Sequence, residues 1–223
     1  MLPWYLYWLL FRVYAHSDQA VINLIRHAEK CPGSGRGLTS VGKARASYLA
    51  RCMSQTDPSE VMPFGAATDV MASRVRPGKS TRPRDTARPL ARALGVEVQM
   101  PCDKVDARCF AEHVTAILSS GSTVAVFWQH EDIPKLVEAL HVPDHEKHLK
   151  PWPKICPSSF FREPACVRGS MCYDEIWQVT MERTAQSDTL WHATSMRSWH
   201  QGFSGRSSGK CKSGLEPDVQ SIL

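Results

Sequence analysis

The sequence predicts an α/β fold, a three-layer α/β/α sandwich around a mostly parallel central sheet. Short runs of β-branched apolar residues alternate with segments whose apolar residues recur at helical spacing. Such alternation is typical of a parallel sheet covered by helices on both faces. The 223 residues are 43% apolar and 22% charged, an ordinary globular composition that disfavours a disordered, collagenous or membrane-bundle chain.

Each element is predicted from its own local pattern. The predicted strands are short runs rich in β-branched and aromatic residues, at 21–25, 70–72, 96–98, 123–128 and 175–181. The predicted helices present one apolar face, at about 40–53, 85–94, 111–118 and 134–140. Thr39 is the predicted N-cap of the first helix. Gly95 closes the second helix, with Pro89 in its first turn.

The chain is predicted to hold one domain at 20–182, with an irregular insertion at about 143–170. Residues 1–19 are an apolar segment, either signal-like or an extension of the fold. Its apolar run is shorter than the about 20 residues that span a bilayer, so no transmembrane helix is expected. Residues 183–223 have the Gly/Ser-rich composition of a flexible tail, with no core residue expected beyond about 200. The compartment stays open between the cytoplasm and secretion.

The positive charge is concentrated in one segment. The net charge is +5, and the stretch 74–92 holds seven cations against one acid. Such a cluster attracts an anion. Nucleic acid is not the expected partner, because no aromatic residues for base stacking are interleaved with these cations. The sequence indicates neither a membrane partner nor an oligomeric state.

Histidines follow two of the predicted strands directly. Arg26 and His27 come after strand 21–25, and His130 and Glu131 come just after strand 123–128. Ligands of α/β proteins bind outside the carboxyl ends of the strands. An imidazole beside guanidinium groups suits attack on a phosphoryl group, because the neutral ring is a nucleophile and the guanidinium pairs with non-bridging oxygens. No carboxylate–histidine spacing accompanies these residues, and the cysteines lack CxxC pairs, so no metal is expected.

The order of several segments resembles the histidine phosphatase superfamily, the phosphoglycerate mutase-like proteins. The segments are LIRHAEK at 24–30, LTSVGKARA at 38–46, STRPRDTARPLA at 80–91, CDKVDARC at 102–109, VAVFWQH at 124–130 and YDEIW at 173–177. The later segments are similar to a fungal-type branch of the superfamily in particular. Where the family has Arg-His-Gly, this sequence has Arg-His-Ala, with Ala28 in place of the glycine.

The resemblance implies a phosphoric monoester hydrolase that needs no cofactor. His27 attacks phosphorus and becomes a phosphohistidine, while Arg26, Arg82 and His130 bind the phosphoryl oxygens, and water then releases phosphate. The implied partner is a small phosphorylated substrate. Two alternatives stay open: a phosphomutase, and a catalytically impaired phosphate-binding or regulatory relative.

The general acid has three candidates. Glu131 matches the position used by the acid phosphatase branch and ranks first. Asp103 and Asp106 lie in the segment where mutase-like members carry an acid. A general acid must hold its proton, which burial against apolar Trp128 favours.

The resemblance also suggests a local disulfide between Cys102 and Cys109. Closing so short a loop stabilises a protein by about 2 to 3 kcal/mol in the entropic model. A reduced pair is equally compatible with the sequence.

Overall fold

The computed structural model describes residues 17–30, 35–143, 151–153, 172–184, 190–203 and 211. These residues form one six-stranded sheet and four helices. The strands are β1 (Ser17–Arg26), β2 (Asp69–Ala72), β3 (Val98–Gln99), β4 (Thr123–Trp128), β5 (Glu175–Thr184) and β6 (His192–His200). The helices are α1 (Ser40–Met53), α2 (Arg82–Leu94), α3 (Ala107–Ile117) and α4 (Ile133–Ala139).

The sheet has the strand order β3-β2-β4-β1-β5-β6. The first four strands in this order are parallel, and β5 and β6 continue the sheet in antiparallel orientation. The register of β1 on β4 aligns Val21 with Thr123 and Arg26 with Trp128, so the two strands end at the same level. The predicted α/β class with a mostly parallel sheet is confirmed.

Helices cover both faces of the sheet and make the predicted three layers. Successive strand residues point to opposite faces, so β4 contributes to two apolar clusters. On one face Phe127 belongs to a cluster with Leu49 of α1 and Leu90 of α2. On the other face Val126 belongs to a cluster with Phe110 of α3, to which α4 also contributes. The core therefore lies in two layers, one on each side of the sheet.

Two helices begin one turn earlier than their apolar patterns predict. α2 begins at Arg82, so Pro89 lies in the helix interior and not in its first turn. α3 begins at Ala107, because the Asp106 side chain accepts a hydrogen bond from the Cys109 backbone N–H at 3.0 Å and caps the helix. The first turn of α2 is rich in charged residues and shows no apolar periodicity, whereas the first turn of α3 already contains the buried Phe110. The C-terminus of α2 lies where the sequence predicts it, because Gly95 closes the helix in the left-handed conformation, with a φ of 70°.

The expectation that no core residue lies beyond about 200 is wrong. The segment predicted to be a flexible tail from 183 onward contains β6, which pairs with β5 along its length. Gln201 and Phe203 follow β6 and are buried. The Phe203 ring centroid lies 5.5 Å from that of Tyr48. The composition of this segment does not predict a strand, because β6 contains few aliphatic residues. The strand is stabilised by pairing with β5 and by the buried Trp199 and Phe203 rings.

The irregular stretch predicted at 143–170 falls largely outside the described residues. Trp152 within it is buried, its ring centroid lies 5.1 Å from that of Trp177, and its indole N–H donates to the Cys172 carbonyl at 2.7 Å. The predicted segment 1–19 also lies outside the described residues, except that β1 already begins at Ser17.

Helix α1 approaches the loop after β1 through Gly42. A Cβ atom at this position would lie 2.7 Å from the Glu29 carbonyl oxygen and 3.0 Å from the Glu29 backbone nitrogen. These separations are shorter than van der Waals contact, so any larger residue forces the backbone to shift. Glycine at this helix position therefore allows the loop that follows His27 to rest directly on α1.

We predict that Gly42→Ala destabilises the protein. In an unconstrained helix alanine is more stable than glycine by about 1 kcal/mol, but overpacking against a fixed backbone costs about 1 to 3 kcal/mol. Urea unfolding measures the free energy of unfolding of both forms. Gly37→Ala is the matched control, because the nearest atom to its Cβ is Asp85 Oδ2 at 3.7 Å. A gain in stability for Gly42→Ala contradicts the close approach.

Candidate active site

The candidate site lies at the edge where the parallel strands end. His27 directly follows β1, and its backbone N–H donates to the Trp128 carbonyl at the end of β4 at 2.9 Å. This bond places His27 beside the turn that contains His130. The neighbouring β2 ends at Ala72, shortly before Arg74. The carboxyl ends of adjacent parallel strands thus bring together residues that are far apart in sequence.

A cavity of about 420 Å³ opens at this edge. Its volume lies in the usual range of small-molecule sites, about 300 to 1,000 Å³. The lining residues are His27, Lys30, Arg74, Arg76, Lys79, Ser80, Arg82, Asp103, Lys104, Val105, Gln129, His130 and Glu131. Six of them are cationic and two are acidic. The cavity is therefore built to hold an anion.

His27 is held as a neutral ring with a defined tautomer. The ring is buried, and its Nδ1 lies 2.8 Å from the Ala28 carbonyl oxygen. Because a carbonyl only accepts hydrogen bonds, Nδ1 carries the proton and Nε2 keeps its lone pair. Burial, and next the Arg26 guanidinium, lower the pKa of His27 to about 3. His27 is therefore an unprotonated imidazole at neutral and mildly acidic pH, which is the form of a histidine that can act as a nucleophile.

Arg26 lies beneath the cavity and does not line it. It is buried, its guanidinium stacks 3.7 Å from the Tyr173 ring centroid, and one terminal nitrogen donates to the Cys172 carbonyl at 3.3 Å. Its charge still acts on the site, because it contributes to the lowered pKa of both His27 and His130. Arg26 thus supplies positive potential next to His27.

Arg82 reaches the cavity from the first turn of α2. Its Nε donates to the Gly37 carbonyl at 3.0 Å and its Nη2 to the Gly35 carbonyl at 2.6 Å. Its Nη1 donates to the Ser80 hydroxyl at 3.2 Å. These neutral acceptors orient the guanidinium and leave its charge uncompensated.

His130 and Lys30 complete the surroundings of His27. Burial, and next Arg26, lower the pKa of His130 to about 4, so this ring is also neutral near pH 7. Burial, and next Arg82, lower the pKa of the half-buried Lys30 ammonium. Both side chains line the cavity. A neutral histidine offers one ring N–H to an anion, and Lys30 offers an ammonium.

The three candidate acids occupy different environments. Glu131 lines the cavity beside His130 but is exposed, so the expected burial against Trp128 is not found. Asp103 also lines the cavity, where Arg76 binds it in two hydrogen bonds of 2.8 and 2.5 Å and lowers its pKa. Asp106 caps α3 and is not among the residues that line the cavity. Glu131 is therefore the cavity carboxylate that no arginine binds within the described residues.

A buried ion network supports the loop after His27. Arg45 lies between Glu29, at 2.7 Å, and Asp174, at 2.9 Å, and it also donates to the Gln201 side chain at 2.9 Å. Burial opposes the charge on Arg45, yet the two carboxylates hold its pKa above the ordinary value. Removing one partner of such a buried pair typically costs about 3 to 5 kcal/mol, because a charge is left without compensation. Glu29 is thus one of the two carboxylates that stabilise the charge of Arg45 inside the protein.

Ala28 is accommodated without strain in the backbone. Its φ is not positive, so the position has no conformational need for glycine. Its backbone N–H donates to the Thr86 hydroxyl of α2 at 2.9 Å. The departure from Arg-His-Gly therefore leaves the turn intact.

Sequence reasoning missed several cations of the cavity. Only Arg82 was expected from the basic stretch 74–92, but Arg74, Arg76 and Lys79 also line the cavity, and Lys104 faces them from the loop before α3. A signal was present for the first two. They follow the end of β2, a parallel strand, as His27 follows β1, and strand ends predict the ligand edge.

Cys102 and Cys109 are joined by a disulfide, as the resemblance suggested. A second disulfide joins Cys52 of α1 to Cys211. Cys172 is also disulfide-bonded. The Cys102–Cys109 disulfide closes the loop that carries Asp103 and Lys104, and it thereby restrains one wall of the cavity.

Among the described residues, no group of three or more His, Cys, Asp or Glu side chains is arranged to hold a metal ion. No helix in the same part of the chain is long and apolar enough to cross a bilayer.

Comparison with solved structures finds similar chains at low identity. The chain is similar to a phosphoglycerate mutase from Plasmodium falciparum, with 11% identity over 92% of this chain and 98% of that one and a TM-score of 0.47. It is similar to a mycobacterial hydrolase, with 14% identity over 79% and 96% and a TM-score of 0.46. It is also similar to a mycobacterial glucosyl-3-phosphoglycerate phosphatase, with 15% identity over 79% and 97% and a TM-score of 0.43.

No protein-family model matches the sequence, and no curated protein matches it either.

The lowered pKa values predict that acid destabilises the protein through these histidines. An unfolded histidine has a pKa of about 6.5, whereas the folded values are about 3 for His27 and about 4 for His130. Between pH 6.5 and these values the unfolded chain binds protons that the native chain does not. The stability that depends on these neutral rings is therefore fully present above about pH 6.5, and it is lost as the pH falls toward 3.

Urea unfolding of wild type, His27→Asn and His130→Asn at pH 7 and pH 4.5 measures this effect. Both variants should lose less stability on acidification than wild type, because each lacks one of the two histidines that bind a proton mainly in the unfolded chain at pH 4.5. Equal losses in all three proteins contradict the proposed burial of the two neutral rings.

Proposed function

We propose that this protein is a phosphatase of the histidine phosphatase type, which hydrolyses a phosphomonoester through a phosphohistidine on His27. The observation that carries the proposal is the state of His27. It is a neutral, buried imidazole whose Nδ1–H is bound to the Ala28 carbonyl, and it lines a cavity with a large excess of cations. That combination suits attack by Nε2 on an anionic phosphorus centre.

In the first step the His27 Nε2 lone pair forms a bond to phosphorus while the bond to the leaving oxygen breaks. The Nδ1–H bond to Ala28 supports the positive charge that develops on the ring, since hydrogen bonding to the charged form stabilises it. Arg82, Lys30 and His130 are the cavity groups that pair with the non-bridging oxygens. Arg26 adds potential from below. Phosphoryl transfer depends mainly on such positioning and charge stabilisation.

Glu131 is the proposed proton donor to the leaving oxygen. It is the carboxyl group on the cavity wall next to His130, whereas Asp103 is paired with Arg76 and Asp106 caps a helix. In the second step the resulting carboxylate takes a proton from water, whose oxygen attacks phosphorus. The phosphorus–nitrogen bond breaks, inorganic phosphate leaves and neutral His27 is restored.

The finer assignment is to the fungal-type branch. It is supported by the sequence resemblance and by the disulfide between Cys102 and Cys109. The intact turn at Ala28 favours an active enzyme over an impaired phosphate-binding relative. Transfer to a second substrate hydroxyl in place of water distinguishes a phosphomutase, which product analysis detects.

We predict that the wild-type protein hydrolyses p-nitrophenyl phosphate and that His27→Ala and Arg82→Ala abolish turnover. Quenching of wild type in alkaline denaturant should trap a protein heavier by one phosphoryl group, because the phosphorus–nitrogen bond of phosphohistidine survives in base but hydrolyses in acid, and His27→Ala should not gain this mass. Because the pKa of His27 is about 3, phosphoenzyme formation should persist at pH 5 rather than decline through the ordinary imidazole range near 6.5.

His113→Ala is the control, since this histidine lies on α3 and hydrogen-bonds Gln99 outside the cavity. Its activity should match wild type. A folded wild type that binds phosphate without forming the phosphoenzyme contradicts the phosphatase and favours the phosphate-binding relative.

We predict that Glu131→Gln slows alkyl phosphates far more than p-nitrophenyl phosphate, because only a poor leaving group needs a proton in the transition state. General acid catalysis contributes typically about 10²- to 10⁴-fold, so kcat for an alkyl phosphate should fall by about 100-fold or more. Asp103→Asn is the comparison variant. A larger selective loss for Asp103→Asn than for Glu131→Gln assigns the proton donor to Asp103 instead.

A further inference from the structure

A second cavity lies beside the C-terminal end of α1, and it shares no lining residue with the candidate active site. Its volume is about 210 Å³, and both cysteines of the Cys52–Cys211 disulfide line it. Both residues are half-buried, so a small molecule in this cavity reaches the disulfide. Cys102 and Cys172, which belong to other disulfides, are only 1% and 3% exposed. The Cys52–Cys211 bond is therefore more accessible to a small reagent than the disulfides at these two buried cysteines.

A cation lies against one sulfur of this accessible disulfide. The Arg51 guanidinium donates to Cys211 Sγ at 3.1 Å, and the Gln55 side-chain amide donates to the same sulfur at 3.6 Å. A nearby positive charge stabilises a cysteine as its thiolate. In thiol–disulfide exchange, the sulfur that forms the more stable thiolate is the better leaving group. Arg51 therefore favours attack at Cys52, with Cys211 as the leaving thiolate.

The residues that follow β6 pack along the same helix as this disulfide. We name residues 201–203 the C-terminal clasp. The Tyr48 hydroxyl donates to the Gln201 carbonyl at 2.7 Å, and the Tyr48 ring packs on the Phe203 ring with 5.5 Å between their centroids. Cys52 lies four residues after Tyr48 in α1, on the same helix face. The disulfide therefore fastens the chain to α1 one turn beyond the C-terminal clasp.

The C-terminal clasp also takes part in the buried ion network. The Gln201 side chain accepts a hydrogen bond from Arg45 at 2.9 Å. The backbone N–H groups of the other two clasp residues donate to the Asp174 carboxylate at 3.3 Å each. Arg45 also binds Glu29 at 2.7 Å, in the loop that follows His27. Loosening the C-terminal clasp therefore removes partners from two buried charged groups, one of which supports this loop.

We infer that the Cys52–Cys211 disulfide is a thiol-exchange site, and that its opening by a small thiol loosens the C-terminal clasp and lowers the activity of the candidate active site. A thiolate attacks Cys52 Sγ, the sulfur–sulfur bond breaks and Cys211 leaves as a thiolate beside Arg51. A second thiolate then attacks the mixed disulfide on Cys52 and releases the cysteine. Overall, two thiols give one disulfide, and their two electrons and two protons reduce the disulfide of the protein.

The exchange site is tested with 2-mercaptoethanol, a small neutral thiol, on the native protein. Samples are quenched in acid at increasing times, the thiols are alkylated and the peptides are mapped by mass spectrometry. We expect Cys52 and Cys211 to be alkylated at least about tenfold faster than Cys102 and Cys172. The mixed disulfide with 2-mercaptoethanol should be trapped on Cys52 rather than on Cys211.

Arg51→Gln tests the role of the cation. This variant should open about threefold to tenfold more slowly than wild type, because a less stable thiolate leaves more slowly. The neutral thiol ensures that the variant does not act by attracting an anionic reagent. Lys43→Gln is the matched control, since Lys43 is also exposed on α1 but does not line this cavity, and it should open at the wild-type rate.

Hydrogen exchange and kinetics test the link from the disulfide to the C-terminal clasp and to activity. In the opened protein the amides of Gly202 and Phe203 should exchange faster, and kcat for p-nitrophenyl phosphate should fall about threefold or more. Re-oxidation with 2-hydroxyethyl disulfide should restore both values. Cys52→Ser should reproduce the opened state and no longer respond to the thiol.

Equal alkylation rates for all four cysteines overturn the inference, and so does an Arg51→Gln protein that opens as fast as wild type. Unchanged exchange at the clasp amides, or an unchanged kcat in the opened protein, overturns the link to the active site. The link to activity rests on the proposed phosphatase function, but the exchange site does not. If wild type hydrolyses no phosphate, the proposed function fails, and the alkylation and hydrogen-exchange results still decide the inference.

Discussion

The pairing of β1 between β4 and β5 is the constraint on which the candidate site depends. β1 is parallel to β4 on one side and antiparallel to β5 on the other. Because a one-residue slip in register turns every side chain to the opposite face of the sheet, the two pairings specify where β1 ends. The chain leaves β1 at Arg26, and His27 bonds the end of β4 at Trp128. His27 and His130 therefore share one edge of the sheet.

Burial, together with the nearby charges, then determines which of the basic groups in this region are charged. His27 is surrounded by protein and by Arg26, so its neutral form is favoured and its pKa falls to about 3. Arg45 is buried nearby but stays charged, because Glu29 and Asp174 compensate it. The same low-dielectric surroundings thus keep one basic group neutral and the other ionised, and the difference is the presence of carboxylate partners.

The walls of the cavity come from segments that have no common sequence pattern. One wall follows β2, another precedes α3 and a third follows β4. Their cations lie close together because parallel strands end at the same level. The Arg76 and Asp103 pair and the Cys102–Cys109 disulfide connect two of these walls. Binding of an anion in the cavity balances the positive charge of those cavity cations that no carboxylate binds.

The sequence alone determined the α/β class, most strands and helices and the position of Arg26, His27 and His130 at the ends of parallel strands. Local patterns carried this information: the buried run 123–128, the Thr39 cap and the Arg26-His27 pair after a strand are all contiguous in the chain. β6 and Phe203 escaped because their stability comes from pairing with β5 and from packing on Tyr48, which no local composition records.

Only the tertiary structure decided the neutral state of His27, the partners of Arg45, the exposure of Glu131 and the convergence of the cavity cations from separate loops. Each of these depends on distances between residues far apart in sequence, because electrostatic interaction and desolvation follow separation in space rather than separation along the chain.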